Sequence, residues 1–265
     1  MKTIKTIVII SCALFLFAGC KKDNYASPNA GMHGALIDAE TGGKLQLSEN
    51  GLNSTVRMLV NDPAKYPAPT PFDLVVNQDG TYNNTLIFAE KYKVFPLLQS
   101  GPWQYVANDS VNVAISPGQN PAVNFKVAPY YYISTPTVVD STVTFTVTKS
   151  TVATVTNSLQ NAAGTTTNNL LILINNYNLV NESICSNTAG QYYQNQFRFT
   201  VTDAILGNPY TPSAGVNPVT KLPLPYSFNF SLMNLPHGTY YLRVAVEGVG
   251  SGGKFNYSPI VKISL

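Results

Sequence analysis

The stretch Phe72-Asp73-Leu74-Val75-Val76-Asn77-Gln78-Asp79-Gly80-Thr81-Tyr82-Asn83-Asn84-Thr85-Leu86-Ile87-Phe88 sets the fold class. Apolar and polar residues alternate on both sides of Asn77-Gln78-Asp79-Gly80. That is the period of half-buried strands, and the turn residues predict a hairpin between 72–76 and 81–88. Asn77 and Asp79 lack the further acidic partners that a calcium loop requires, so the segment reads as a plain turn.

The same short alternating runs continue in both directions. Strands are expected over 32–38, 55–60, 91–97, 109–115 and 121–127, with a turn at Ala39-Glu40-Thr41-Gly42-Gly43. Pro63, Pro67, Pro69 and Pro71 make 62–71 a stiff loop. About seven strands in about 95 residues is the density of a small β-sandwich. Beyond Val127-Ala128-Pro129-Tyr130, with Pro129 as a rigid joint, the pattern resumes over 130–133, 141–149, 170–174, 197–202, 226–232, 239–246 and 257–265. Leu170–Ile174 is apolar without a break. Alternation in 239–246 puts Tyr240, Leu242, Val244 and Val246 on one face and Tyr241, Arg243 and Glu247 on the other. No segment has helical periodicity. The fold class is all-β, two tandem β-sandwiches spanning 31–128 and 129–265.

The N-terminus gives the location. Lys2 and Lys5 precede an apolar run from Ile7 to Ala18, the length of a signal-peptide core and short of a membrane span. Leu16-Phe17-Ala18-Gly19-Cys20 resembles a bacterial lipobox, which implies cleavage after residue 19 and lipidation of Cys20. Multiple acyl chains would tether an otherwise soluble protein to a membrane. Residues 1–19 are then the signal peptide and 20–30 a flexible tether containing Lys21, Lys22 and Pro28. The charged cluster after Cys20 resembles the surface-export signal of Bacteroidetes lipoproteins, which implies an outer-membrane anchor facing the cell exterior.

Composition excludes several function classes. The 265 residues include 16 basic and 13 acidic ones. Loss of Lys2 and Lys5 leaves 14 against 13, a net charge of +1, which argues against nucleic acid as a partner. Only 11% of residues are charged, and Asn, Thr, Ser and Tyr supply a neutral, hydrogen-bonding surface. Cys12 leaves with the signal and Cys20 is taken by lipid, so Cys185 has no disulfide partner and reads as a buried or inert thiol. His33 and His237 have no Cys or His at metal-ligand spacing, so neither a metal nor a cofactor is expected. No pair of carboxylates stands out for glycoside hydrolysis, and neither histidine accompanies a nucleophile motif. The protein is read as a non-enzyme.

Gly34-Ala35-Leu36-Ile37-Asp38 with Thr41-Gly42, then Asp79-Gly80-Thr81-Tyr82, then Tyr92-Lys93-Val94, resemble the carboxypeptidase regulatory-like, transthyretin-type sandwich. Leu235-Pro236-His237-Gly238-Thr239-Tyr240-Tyr241 resembles the turn before strand F of immunoglobulin-like and fibronectin-III sandwiches, with Tyr240 as the corner tyrosine. Together with the lipobox, Gly101-Pro102-Trp103 and the Val-x-Pro-Tyr junction, the chain resembles two-domain lipoproteins of unknown function from Bacteroidetes polysaccharide-utilisation loci. That resemblance implies an accessory role in surface glycan capture beside a SusC/SusD-type transporter, and it carries no catalytic residues.

A glycan surface needs aromatic faces and neutral amides or hydroxyls. The candidates are Trp103 and Tyr105 in the turn-forming 100–105 segment, and Tyr177, Gln191, Tyr192, Tyr193 and Asn195 in the long polar stretch 175–196. A lone tryptophan in a small sandwich also serves as a core or interdomain plug. Tyr192 and Tyr193 suit a protein interface as well as a sugar. Tyr130-Tyr131-Tyr132 reads as glue between the two modules. Asp109-Ser110-Val111 and Asp140-Ser141-Thr142 resemble Bacteroidetes O-glycosylation sites and are also good turn chemistry. The expected function is non-catalytic: an outer-membrane surface lipoprotein that binds a neutral polysaccharide or oligosaccharide for a TonB-dependent transporter. A structural or adhesin and fimbria-associated lipoprotein is the alternative.

Overall fold

The computed structural model describes residues 27–48, 54–98, 100–106, 110–153, 167–181, 196–202, 226–232, 236–247 and 254–265. Seventeen strands and no helix occur among them. In the first half these are β1 (Ala30–Asp38), β2 (Thr55–Val60), β3 (Phe72–Val75), β4 (Thr81–Ile87), β5 (Lys91–Pro96), β6 (Trp103–Tyr105), β7 (Val111–Ala114) and β8 (Ala122–Pro129). They form two four-stranded sheets, β4-β1-β8-β6 and β3-β2-β5-β7. Only β1 and β8 run parallel. Met32, Leu36, Val56, Met58, Leu74, Tyr92, Val94 and Phe125 interdigitate between the sheets, as alternation requires.

The predicted hairpin is not formed. β3 pairs with β2 and β4 pairs with β1, so the Asn77–Gly80 turn carries the chain from one sheet to the other. The turn itself is tight, with the Asn77 amide donating to the Thr81 carbonyl at 2.7 Å. Leu74 and Val76 on one side and Tyr82 on the other then enter the same core from opposite sheets. Gly80 has φ 78°, and a Cβ there would stand 2.4 Å from the Leu45 carbonyl, so the corner requires glycine.

The second half contains β9 (Tyr131–Ile133), β10 (Thr137–Val139), β11 (Thr142–Lys149), β12 (Thr167–Asn175), β13 (Gln196–Thr202), β14 (Tyr226–Ser231), β15 (Thr239–Glu247), β16 (Phe255–Tyr257) and β17 (Val261–Ser264). One sheet has the order β10-β11-β14, with β9 also on β11. The other has the order β13-β12-β15-β16, with β17 also on β15. Asp140 and Ser141 both have positive φ, 47° and 58°, in the two-residue turn that joins β10 to β11. The single strand expected over 257–265 is two, because Ser258-Pro259 interrupts it. Tyr240 donates from its hydroxyl to the Pro236 carbonyl at 2.9 Å, the corner expected of it.

Val143, Phe145, Val147, Ile172, Ile174, Leu242 and Val244 fill the space between these two sheets. The opposite face of β12 and β15 is buried too: Leu171, Leu173, Ala245 and Tyr257 form a separate cluster there. The unbroken apolar run of β12 therefore reports a strand covered on both sides. The second cover comes partly from the first half of the chain, whose Leu47 and Gln78 carbonyls accept from Arg243.

Candidate functional site

Of the aromatic candidates, Trp103 does not present a face to solvent. It is a strand residue of β6, paired with Pro129, and it is 1% exposed within the first core. Its indole N–H donates to Ser54 Oγ at 3.0 Å, and its ring packs at 5.7 Å against Tyr105. The turn expected over 100–105 ends at Pro102, and the strand after it points Trp103 inward. Trp103 is thus the plug of the two alternatives. Tyr105 is half-buried, and its hydroxyl donates to the Pro96 carbonyl. Tyr177, by contrast, is 75% exposed in the turn after β12. Gln191, Tyr192, Tyr193 and Asn195 lie outside the described residues, as do Cys20 and Cys185.

A different surface is built where β4, β1 and β8 lie side by side. Odd-numbered positions of β1 face away from the core, and register sets His33 beside Asn83 on β4 and Ala122 on β8. Ala35 stands beside Thr81 and Asn124 in the next row. These rows, with Asn120 and Lys44, line a groove of about 540 Å³. Two amides are held in place. Asn120 Oδ1 hydrogen-bonds His33 Nδ1 at 3.2 Å, and Asn124 Oδ1 accepts from the Ala35 amide at 2.9 Å. No carboxylate lines the groove. Asp79, close by, is held below the usual carboxylate range: burial opposes its charge, but the Thr81 hydroxyl and amide and the Lys44 charge outweigh it.

Beneath the groove, Tyr82 lies opposite Gly34 and crosses it to donate to the Val123 carbonyl at 2.5 Å. A Cβ on Gly34 would come within 1.7 Å of that carbonyl oxygen and 2.7 Å of the Tyr82 hydroxyl. Only glycine permits the crossing, which ties β1, β4 and β8 together under the floor. Burial pushes the Tyr82 phenol well above its ordinary range, so it stays a donor.

A second concavity of about 230 Å³ lies where the two halves of the chain meet, among Asp38, Lys44, Gln46, Tyr132, Asn256 and Tyr257. Asp38 is 5% exposed. Its carboxylate accepts from the Glu40 amide at 2.9 Å, the Thr41 hydroxyl at 2.5 Å and the Tyr132 hydroxyl at 2.9 Å. Tyr132 also lies 3.1 Å from Glu40 Oε2, which accepts in turn from Ser150 and Thr151. Burial, and then the Asp38 carboxylate that accepts its proton, push the Tyr132 phenol up. Asn256 accepts from the Tyr131 amide at 3.1 Å and donates to the Pro102 carbonyl at 3.0 Å. The junction tyrosines do join the halves, as their position between the modules suggests.

Neither concavity stands out in the linear sequence. His33, Asn83, Asn120 and Asn124 are spread over about ninety positions and meet only through strand register and the loop that leads into β8. The local signal is the polar series Thr81, Asn83 and Thr85 at alternating positions, opposite the buried Tyr82. Among the described residues, no three His, Cys, Asp or Glu side chains gather into a group that could hold a metal ion.

Residues 30–128 match the family described as "Protein of unknown function (DUF3823) N-terminal domain". No curated protein matches the chain. Among solved structures, a DUF3823 family protein from Bacteroides uniformis is 18% identical, with a TM-score of 0.62 over 89% of this chain and 99% of its own. A DUF3823 family protein from Parabacteroides merdae is 18% identical, with a TM-score of 0.60 over 90% and 100%. A further Bacteroides uniformis protein, described as a "putative carbohydrate binding protein", is 18% identical, with a TM-score of 0.59 over 90% and 100%. These likenesses establish a shared fold along nearly the whole chain.

Proposed function

We propose that this protein is a non-catalytic carbohydrate-binding lipoprotein, anchored through Cys20 in the outer membrane and displayed outward beside a TonB-dependent transporter of the SusC/SusD type. The observation that carries the carbohydrate reading is the groove over β4, β1 and β8. Sugar hydroxyls donate and accept at once, and primary amides match them because each offers two donors and an acceptor. His33, Thr81, Asn83, Asn120 and Asn124 provide such groups along one face, and the groove lacks the paired carboxylates of a glycosidase. Its volume lies within the about 300–1,000 Å³ range of small-molecule sites. The description of one fold relative as carbohydrate-binding points the same way. The membrane anchor and the transporter partnership rest on the lipobox-like N-terminus and the sequence resemblance. On this reading the chain divides into two β-sandwich domains, 31–128 and 129–265, and the groove belongs to the first.

Affinity electrophoresis through gels holding xylan, β-glucan or mannan tests the reading. Retardation by at least one polysaccharide, relieved by its free oligosaccharide, is expected. Asn83→Ala, an exposed change, should weaken that retardation about five- to tenfold, the loss of one or two hydrogen bonds. Migration unaffected by every polysaccharide would overturn the reading.

A further inference from the structure

The groove and the interdomain concavity share a wall. Lys44 lines both. It pairs with Ile37 as an isolated bridge at the end of β1, past the point where β4 stops pairing. β1 therefore runs beneath the groove at His33 and Ala35 and ends at Asp38 in the concavity between the halves.

The two concavities also complement each other chemically. The groove offers amides and an imidazole, but its one phenol ring, Tyr82, is 1% exposed and committed to the core. The interdomain concavity offers ring and proline surface from the half-buried Tyr132 and Pro259 beside Gln46 and Lys44. At about 230 Å³ it is smaller than the about 300 Å³ at which independent ligand sites begin, so it is too small to hold a ligand of that class alone. A pyranose needs an apolar face and hydrogen-bonding partners together. Here the two are supplied on either side of Lys44.

We infer that one glycan chain occupies both concavities, lying along the groove and passing over Lys44 to place a terminal sugar ring between the two halves of the molecule. The substrate class is thus an oligosaccharide or a polysaccharide end several sugars long, not a mono- or disaccharide. This rests on the carbohydrate reading of the groove and adds to it the second subsite and the length requirement. Residues of both halves then read one ligand, which gives the shared interface a role in recognition.

The test is calorimetric titration of the full-length chain with cello-, xylo- and manno-oligosaccharides, each as disaccharide, tetrasaccharide and hexasaccharide. The expected result is an affinity for one series that rises about tenfold or more from disaccharide to hexasaccharide. Gln46→Ala and, separately, the exposed Lys44→Gln should remove most of that gain with length. Asn83→Ala should weaken every length by the same factor. A hexasaccharide bound no tighter than its disaccharide overturns the inference while leaving the groove as a sugar site. So does a gain with length that both Gln46→Ala and Lys44→Gln leave intact. Wild-type protein that binds none of the three series removes the carbohydrate reading and the inference with it.

Discussion

The Trp103 indole reaches Ser54 Oγ from inside the first core, so truncating it removes ring packing and a buried hydrogen bond at once. Trp103→Ala is expected to cost about 3–5 kcal/mol in urea unfolding, with Trp103→Phe keeping part of that, and neither change alters a sugar contact directly. Two phenols make a second residue-scale prediction. Tyr82 and Tyr132 have folded-state pKa values raised above the ordinary 10.0 by burial, and in Tyr132 also by Asp38. Above pH 10 the unfolded chain loses those protons while the folded chain keeps them. Their stabilisation is therefore complete below that pH and declines as pH rises beyond it. Urea midpoints should fall above about pH 10, and Tyr132→Phe should flatten the fall while costing about 1 kcal/mol at neutral pH. An unchanged alkaline slope in Tyr132→Phe would mean that the phenol is not buried against Asp38.

At the level of strands, hydrophobic alternation carries most of the fold. It predicts 55–60, which is observed as Thr55–Val60, because Val56 and Met58 point inward and Arg57 outward. It does not say which strands pair. Asn77-Gln78-Asp79-Gly80 has the chemistry of a hairpin, yet Leu74 and Tyr82 gain more by closing the core from two sheets than by lying side by side in one. Pairing is a long-range property, and a turn motif specifies only its own backbone. The site was hidden for the same reason. Asn83 and Asn124 fall in expected strands, but only register shows that both border β1, and Asn120 reaches His33 from the loop ahead of β8. Trp103, by contrast, looked loop-borne because Gly101-Pro102 precedes it, and the three-residue strand that buries it is too short to show alternation. Gly34 tests the register under the groove. Its place opposite Tyr82 leaves no room for a methyl group, so Gly34→Ala should cost about 3 kcal/mol or more. Double substitution with Tyr82→Phe should recover little, because the Val123 carbonyl itself occupies the space.

Across the whole molecule, Arg243 explains how one sheet is buried on both faces. Alternation along β15 sets Arg243 on the side away from the second core, where a charged residue would ordinarily meet water. It is 0% exposed. Its guanidinium donates to the carbonyls of Ser258 at 2.9 Å, Leu47 at 2.7 Å, Val180 at 3.3 Å and Gln78 at 3.4 Å, and stacks 4.2 Å from the Tyr257 ring centre. Leu47 and Gln78 belong to the first half of the chain, so a single planar fork spans the interface. With the Asn256 and Tyr132 contacts, this should make the halves unfold as one cooperative unit, seen as a single calorimetric transition. Arg243→Ala leaves several buried carbonyls without that donor, at about 1–3 kcal/mol each where water does not replace it. Two resolved transitions are then expected, the earlier one well below the wild-type midpoint. Arg243→Lys keeps the charge but cannot reach in four directions, so it should resemble the alanine variant more than the wild type. A single transition at the wild-type midpoint in Arg243→Ala would assign the coupling elsewhere. The same variant bears on recognition: if the halves together hold the end of a glycan, loosening them should reduce the affinity gained with oligosaccharide length while disaccharide binding in the groove persists.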